Sequence, residues 1–325
     1  MIGHTRRLLL AALLALCLAT PAAAQVDAQL TQYWAVPAYY NAAATGLTDF
    51  IHISGGARLQ WVGIRRAPMT FLAMADMPFK LLERRWGAGV VLQQENIGLY
   101  RSTDVYGQLS WKKKMLGGML HVGIQPGIIT QTFRADSVRT LDGDPAHTSA
   151  DDAIPQTNVS GTSFDLSAGV MFTHKHFWVG ISSTHLTAPT ITLKQGDDEQ
   201  NQYEFDVGRL YYFMAGGNIP IKNTLFELQP SVMVKTDFNA FQAEATARVR
   251  YNKFLSIGVG YRFKDAVSVM IGADYKNFFF GYSYDYATSA IRKASSGSHE
   301  AFIQYNVKLN LGDRNRNKHK SIRLM

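Results

Sequence analysis

The chain has 325 residues, and its 33 Lys and Arg against 25 Asp and Glu give a formal net charge of +8. Most of the excess lies at the two ends, which carry Arg6, Arg7, Arg314, Arg316, Lys318, Lys320 and Arg323. Because the body between them is close to neutral, it offers no continuous basic groove, and no nucleic-acid partner is expected.

The first 24 residues predict a cleaved signal peptide. Arg6 and Arg7 precede an apolar run from Leu8 to Ala19, and the small residues Ala22–Ala24 form the cleavage site. About twelve apolar residues are too few for a membrane anchor, which needs roughly twenty. A lipoprotein reading of Cys17 is disfavoured because Leu16 is bulky. Removal of Cys17 leaves a mature chain without disulfides or thiolate metal sites.

The body of the chain shows the period-two alternation of half-buried β-strands. In the stretch 241–251, "FQAEATARVRY", apolar and small residues occupy one face and polar or charged residues occupy the other. The stretches 50–61, 162–172 and 299–311 repeat this pattern. No run of eighteen apolar residues occurs, so a helical membrane protein is excluded.

Fourteen strands are predicted, and together they indicate a transmembrane antiparallel β-barrel. Most of the clear strands reach ten residues or more, which suits a tilted crossing of the bilayer better than the five or six typical of soluble strands. Trp61, Trp86, Trp111 and Trp178 lie near strand ends, where aromatic girdles form. The predicted ranges are 50–61, 68–77, 86–95, 102–111, 118–130, 162–173, 176–187, 208–218, 225–235, 241–251, 254–263, 267–276, 278–286 and 300–311.

The lengths of the connections suggest how the barrel is oriented. The three longest follow the fifth, seventh and thirteenth strands, which places all of them at one end of the barrel. Outer-membrane barrels have long extracellular loops and short periplasmic turns. The sequence therefore predicts an outer-membrane protein with both termini in the periplasm.

The residues that invite a catalytic or metal-binding interpretation have simpler explanations. His52 and Ser54 share a strand face, but no nucleophile elbow is present, so they are expected to line the lumen. His174, His176 and His185 could suggest a metal site, but they straddle a predicted tight turn and no acidic residue stands at an obvious ligand spacing. The stretch 258–263, "GVGYRF", lies within a strand, and the acidic stretch 143–152 reads as a solvated loop rather than a calcium site. No catalytic residue, cofactor or metal is predicted.

The charges predicted to face the lumen have both signs, which fits hydrogen-bonded pairs at least as well as a selective pore. They are Glu95, Asp104, Asp165, Glu227, Glu244, Arg248, Arg250 and Asp274.

The opening of the mature chain, "DAQLTQYWAVPAYYNAAATG" at 27–46, resembles the start of PorP/SprF family proteins. The family has an Asp-x-Gln-aromatic-Ser/Thr-Gln-Tyr motif followed by Asn-Pro-Ala-x-x-Gly. Leu30 and Ala42 depart from it, replacing an aromatic residue and a proline. The matching residues are Asp27, Gln29, Thr31, Gln32, Tyr33, Asn41, Ala43 and Gly46. The stretches 57–79 and 86–111 resemble the family's first two hairpins.

This resemblance implies an outer-membrane barrel of the type IX secretion system, linked in some members to gliding motility. The implied partners are other secretion components, a secreted surface protein and membrane lipid; no enzyme activity and no small-molecule substrate are implied. The implied layout is a segment 25–49 at the periplasmic mouth or in the lumen, a barrel 50–312 and a basic tail 313–325. Partner binding is expected at Asp27, Gln29, Gln32, Tyr33, Trp34, Asn41 and Gly46.

Two other functions remain open from the residues alone. One is a transport barrel for small or apolar solutes, and the other is a lipid hydrolase in the outer membrane.

Overall fold

A computed structural model describes residues 27–135, 155, 157–194 and 202–309. The predicted signal peptide 1–24, the acidic stretch 143–152 and the basic tail 313–325 lie outside the described residues.

Seventeen strands, β1 to β17, account for most of the described chain. They are Phe50–Leu59, Met69–Leu81, Arg84–Ile97, Tyr100–Met115, Gly118–Phe133, Val159–Thr173, Phe177–Thr184, Thr190–Leu193, Tyr203–Asp206, Leu210–Gly217, Ile219–Pro220, Phe226–Thr236, Phe241–Tyr251, Leu255–Arg262, Ala266–Tyr275, Phe278–Ala287 and Ser298–Lys308. One short α-helix, α1, spans Pro37–Tyr40, and 3-10 turns span Ala42–Ala44 and Ala290–Lys293.

Fourteen of these elements form a closed antiparallel barrel. Each strand pairs with its neighbour in the chain, and β1 pairs with β17 over ten residues from Phe50↔Lys308 to Leu59↔His299, which closes the sheet. The two-residue strand β11 continues β10 along β12 after an interruption at Asn218. The strands β8 and β9 form a separate hairpin, and Ser160 and Lys194 link it to β6. The sequence prediction of a fourteen-strand barrel is confirmed.

The outer face of the barrel is apolar. In β14 the exposed side chains Ile257, Val259 and Tyr261 alternate with buried Ser256 and Arg262 at the inward face. Lipid offers no hydrogen bonds to unpaired backbone groups, so a closed sheet with such a face suits the bilayer. Within the described residues, no helix is long and apolar enough to cross a membrane.

The paired residues Trp86 and Trp111 lie on the outer face near one end of the barrel. Trp178, predicted to join them, is instead buried on the inner face of β7 and packs against Gly216.

The two ends of the barrel differ in their connections. One end, here called the long-loop end, is where β1, β5, β7 and β16 end, so the connections from Phe133 to Val159 and from Thr184 to Leu210 begin and end there. The other, here called the short-turn end, carries turns of two to five residues, such as Leu82–Glu83 and Leu116–Gly117. Phe50 and Lys308 both lie at the short-turn end, as expected for an even number of strands.

Candidate functional site

The inside of the barrel is filled by residues 27–49, here called the lumen segment. Asp27 lies at the long-loop end, beside Thr184 and Tyr212. The chain then runs to Trp34 in the half of the lumen near the short-turn end, where Trp34 meets Phe279. The helix α1 and the 3-10 turn Ala42–Ala44 follow, and the segment leaves through Gly46 to begin β1. The segment is nearly all buried.

Near the long-loop end, a buried ion cluster joins the lumen segment to the barrel wall. The guanidinium of Arg58 contacts Asp285 at 2.7 Å and Glu300 at 3.0 Å, and all three side chains are almost fully buried. The Glu300 carboxylate also accepts hydrogen bonds from the backbone N–H groups of Thr31 and Gln32. Because each charge has several partners, the cluster avoids the cost of an unpaired buried ion.

A second guanidinium extends this cluster. Arg262 contacts Glu244 at 2.9 Å and Asp285 at 3.3 Å, and it donates to the hydroxyl of Thr31 at 3.1 Å. Gln29 donates from its amide to Glu244 at 3.0 Å. The start of the lumen segment is therefore held by charge-assisted hydrogen bonds to five strands: β1, β13, β14, β16 and β17.

At the start of the lumen segment, His185 lies between two carboxylates. Its Nε2 is 2.8 Å from Asp27 and its Nδ1 is 2.8 Å from Asp165. Burial alone would lower the pKa of His185, but the two carboxylates outweigh burial and raise the pKa well above its usual value. Burial alone would raise the pKa of Asp27, but His185, Tyr212 and Thr184 together hold that pKa below its usual range. The cluster therefore pairs a cationic imidazole with ionised Asp27.

In the middle of the lumen, aromatic residues of the segment contact the polar wall. The Tyr33 hydroxyl donates to Ser231 at 3.1 Å. The indole of Trp34 lies under the guanidinium of Arg248, whose central carbon is 3.3 Å from the ring centroid. This cation–π contact gives Arg248 an attractive partner in a place where water is largely excluded.

Towards the short-turn end, Asn41 fixes the 3-10 turn against two strands. Its side-chain oxygen accepts from the N–H of Ala43, and its side-chain N–H₂ donates to the carbonyls of Val170 and Ile181. Beyond it, the Thr45 carbonyl accepts from Ser110, and the Gly46 carbonyl accepts from the Lys112 ammonium. The segment is thus bonded to the wall along its whole length.

The barrel wall has glycine at positions where the backbone of the lumen segment approaches it closely. A Cβ added at Gly123 would collide with the backbone of Ala42 and Ala43, and one added at Gly87 would collide with the carbonyl of Thr45. Glycine is required where two backbones approach this closely. By contrast, a Cβ at Gly107, on the outer face of β4, would meet nothing within 4 Å.

Two cavities border the segment. A cavity of about 40 Å³, lined by residues that include His52, Ser54 and Asp76, separates part of the segment from β1 and β2. A larger cavity of about 480 Å³ opens at the long-loop end, here called the mouth cavity. Its lining includes Asp27, Glu95, Lys235, Asp237, Asp265 and Phe241.

The structure places all seven residues of the predicted partner-binding set inside the barrel, in contact with the wall or with each other. They are Asp27, Gln29, Gln32, Tyr33, Trp34, Asn41 and Gly46. Of these, Asp27 and Gln29 also line the mouth cavity. A partner-binding role for the set stays a prediction.

The lumen charges are paired in several cases, in line with the mixed signs seen in the sequence. Arg250 contacts Asp274 at 2.7 Å, alongside the pairs of Glu244 and Asp165 already described. The sequence reasoning did not single out Arg58, Asp285 or Glu300 as a cluster. The period-two pattern of their strands indicates that all three side chains point inward. That they meet could not be read from the pattern, because it depends on the pairing of β1 with β17.

The catalytic and metal candidates lie on different parts of the barrel, with His52 in β1 and His174 and His176 in the turn between β6 and β7. The two ring nitrogens of His52 contact Thr48, Asn306 and Gln304. The ring centroids of His174 and His176 are 6.3 Å apart and the rings are tilted by 54°. His185, expected to lack an acidic neighbour, lies instead between Asp27 and Asp165. Within the described ranges, no group of three His, Cys, Asp or Glu is arranged to hold a metal ion.

A family model described as "Type IX secretion system membrane protein PorP/SprF" matches residues 22–305. No curated protein matches the sequence. Solved structures similar to the barrel include the outer membrane protein Omp33 of Acinetobacter baumannii, at 8% identity and TM-score 0.44, covering 80% of this chain and 99% of that one.

Two further similar structures are the P. putida toluene transporter TodX and the CymD monoaromatic hydrocarbon channel. The first has 9% identity and TM-score 0.43, covering 83% of this chain and 93% of that one. The second has 12% identity and TM-score 0.46, covering 87% and 94%. These likenesses are too distant to carry an argument about function.

Replacing Arg58 by Met should destabilise the barrel by about 3–5 kcal/mol, because Asp285 and Glu300 would lose a buried counter-ion. Thermal unfolding in detergent measures the change. Adding Glu300→Gln to Arg58→Met should restore part of the loss. The control is Arg85→Met, whose ion pair with Asp49 is partly exposed at 3.5 Å and should contribute about 0–1 kcal/mol. Equal losses for the two single variants would contradict the role assigned to the cluster.

The pKa of His185 predicts how the anchoring of Asp27 depends on pH. Since the pKa of His185 is raised in the folded protein, the stability that His185 contributes is complete below its usual pKa of 6.5. This stability is lost as the pH rises through the pKa of the folded state. The lowered pKa of Asp27 adds a contribution that is present above the usual 3.8 and is lost as pH falls through the folded value. Anchoring should therefore be strongest between these two usual values.

Hydrogen exchange of residues 27–35, corrected for intrinsic rates, measures this anchoring. Protection should decline on the alkaline side in the wild type, and His185→Gln should show lower protection with a flat profile from pH 6 upward. The same alkaline decline in His185→Gln would show that another group is responsible.

Proposed function

Because the chain belongs to the PorP/SprF family of type IX secretion system membrane proteins, we propose that it is an outer-membrane component of that system. In this role it assists the export or surface attachment of particular proteins, with a link to gliding in some relatives. Its partners are other secretion components and a secreted surface protein. The short-turn end faces the periplasm and the long-loop end faces outward.

One observation supports a role as a closed platform rather than a conduit: the lumen is occupied by the chain's own segment. That segment is bonded to the wall from Asp27 to Gly46 and seats its backbone on wall glycines such as Gly123. A passing solute would have to displace buried ion pairs and hydrogen bonds together. The surfaces left for partners are then the two ends of the barrel.

The mouth cavity is the proposed contact point for an exported protein. It is about 480 Å³ in volume and has carboxylates at Asp27, Glu95, Asp237 and Asp265 against one ammonium at Lys235. Asp27 is paired with His185 and Asp265 with Arg262. Glu95 and Asp237 are therefore the carboxylates that favour a basic or strongly polar segment of the exported protein.

The two other functions suggested by the sequence are less well supported. Transport of small or apolar solutes requires a path that the lumen segment occupies. A lipid hydrolase would require a nucleophile activated by a base, whereas the nitrogens of His52 contact Thr48, Asn306 and Gln304.

The role in secretion is tested by deleting the gene and counting the proteins at the cell surface and in the medium. We expect one exported protein, or a small set, to be lost while permeability to a dye is unchanged. Wild-type chain and Gly107→Val should both restore the missing protein. An unchanged census would overturn the proposal, and so would a general loss accompanied by dye leakage.

The closed lumen predicts how single barrels behave in planar bilayers. The wild type and Gly107→Val should show no stable conductance. Gly123→Val should conduct, because its side chain would displace the backbone of Ala42 and Ala43. Asn41→Ala, which removes three hydrogen bonds without adding volume, is a second opening variant. Steady conductance by the wild type would instead support the transport alternative.

A further inference from the structure

Two neighbouring turns at the short-turn end carry leucine where the backbone favours asparagine or glycine. Leu82 has φ of 49° and is followed by Glu83 at 58°, while Leu116 has φ of 49° and is followed by Gly117 at 75°. Two-residue hairpin turns with positive φ normally use Asn-Gly or similar pairs. The turn between β13 and β14 follows that preference with Asn252 at 47°.

These leucines do not stabilise the barrel by packing. Leu82 is 86% exposed and Leu116 is 83% exposed, and the neighbouring Leu81 and Met115 are also exposed. The backbone is therefore held in an unfavourable conformation at positions that also leave apolar side chains in contact with solvent. Strain and exposed apolar surface occurring together are typical of a binding site.

The two turns lie beside each other and beyond the membrane surface. The first turn leads into β3 and the second follows β4, and these two strands are adjacent in the barrel. In them Trp86 pairs with Trp111 on the outer face. Tryptophan marks the boundary between lipid and water. Leu116 is five residues past Trp111, which is about 12 Å along the barrel axis for a tilted strand. Lipid therefore does not explain the two leucines.

The surroundings of the leucines are cationic. Arg84, Lys113 and Lys114 are exposed next to the two turns, and Glu83 is the acidic residue among them. We refer to residues 81–84 and 113–117 as the paired tips. A surface that combines two apolar side chains with clustered cations is complementary to an apolar pocket with an acidic rim.

We propose that the paired tips are a docking site for a water-soluble protein whose surface presents an apolar pocket within an acidic rim. The leucines enter the pocket, and Arg84, Lys113 and Lys114 face the rim. This site is separate from the lumen and from the mouth cavity. It does not depend on the proposed role in secretion, and its test uses a different measurement.

The one cysteine of the sequence, Cys17, lies in the predicted signal peptide, so single-cysteine variants of the purified barrel report the accessibility of the paired tips. Leu82→Cys, Leu116→Cys and the control Lys276→Cys, in a turn on another part of the same end, are reacted with a water-soluble maleimide. Two samples are compared: native outer-membrane fragments, and liposomes of the extracted lipids containing purified barrel.

The tip cysteines should react about tenfold more slowly in native fragments than in liposomes, whereas Lys276→Cys should react equally in both. Salt near 1 M should restore much of the rate, since it screens the cationic contacts. Equal rates for tips and control in native fragments would overturn the proposal, because nothing would cover the tips. Slow tip labelling in liposomes would overturn it in favour of lipid.

A double variant separates docking from a structural role of the leucines. Leu82→Asn with Leu116→Asn relieves the backbone strain, so the isolated barrel should unfold at the same or a higher temperature. The detergent-extracted complex should sediment at a lower mass than the wild-type complex. An unchanged mass would overturn the proposal, and so would a clear drop in the unfolding temperature of the isolated barrel.

Discussion

The structure depends on one requirement: the polar side chains on the inner face of the closed sheet need hydrogen-bond and ion-pair partners in a space that holds little water. Each strand that turns apolar residues to lipid must turn its other residues inward, and here these include Arg58, Glu244, Arg248 and Arg262. Buried charges of this kind are tolerated only with partners. The lumen segment supplies many of those partners through its backbone N–H groups, its hydroxyl and amide side chains, and the ring of Trp34.

This arrangement gives the motif residues before the first strand a physical role. Thr31 and Gln32 donate their backbone N–H groups to Glu300, and the Asn41 amide donates to the carbonyls of Val170 and Ile181. Ala43 is fully buried, and a Cβ added at Gly46 would collide with the backbone of Met77. The wall is adapted in turn, with glycine at Gly87 and Gly123. Leu30 and Ala42, which depart from the family pattern, are both buried in the same packing. The lumen segment and the barrel are therefore packed as one unit.

Much of the fold could be predicted because alternation with period two is a local property. The stretch 241–251 separates its polar and apolar faces completely, and the structure places it in β13. The path of the lumen segment could not be predicted, since it depends on pairs such as Thr31 with Glu300, which are 269 residues apart. Trp178 was misplaced because the end of a strand alone does not decide which face its side chain occupies. The turns at Leu82 and Leu116 could not be predicted from the residue preferences of hairpin turns, because leucine is disfavoured at such positions.

The route of the lumen segment also constrains how the molecule assembles. Asp27 lies at one mouth and Phe50 at the other, so the polypeptide passes through the ring that its own later strands complete. Arg58 on β1 and Glu300 on β17 flank the seam and both hold Thr31. The residues that close the cylinder are thus the same residues that grip its contents, so a change at Thr31 acts on the seam and on the segment together.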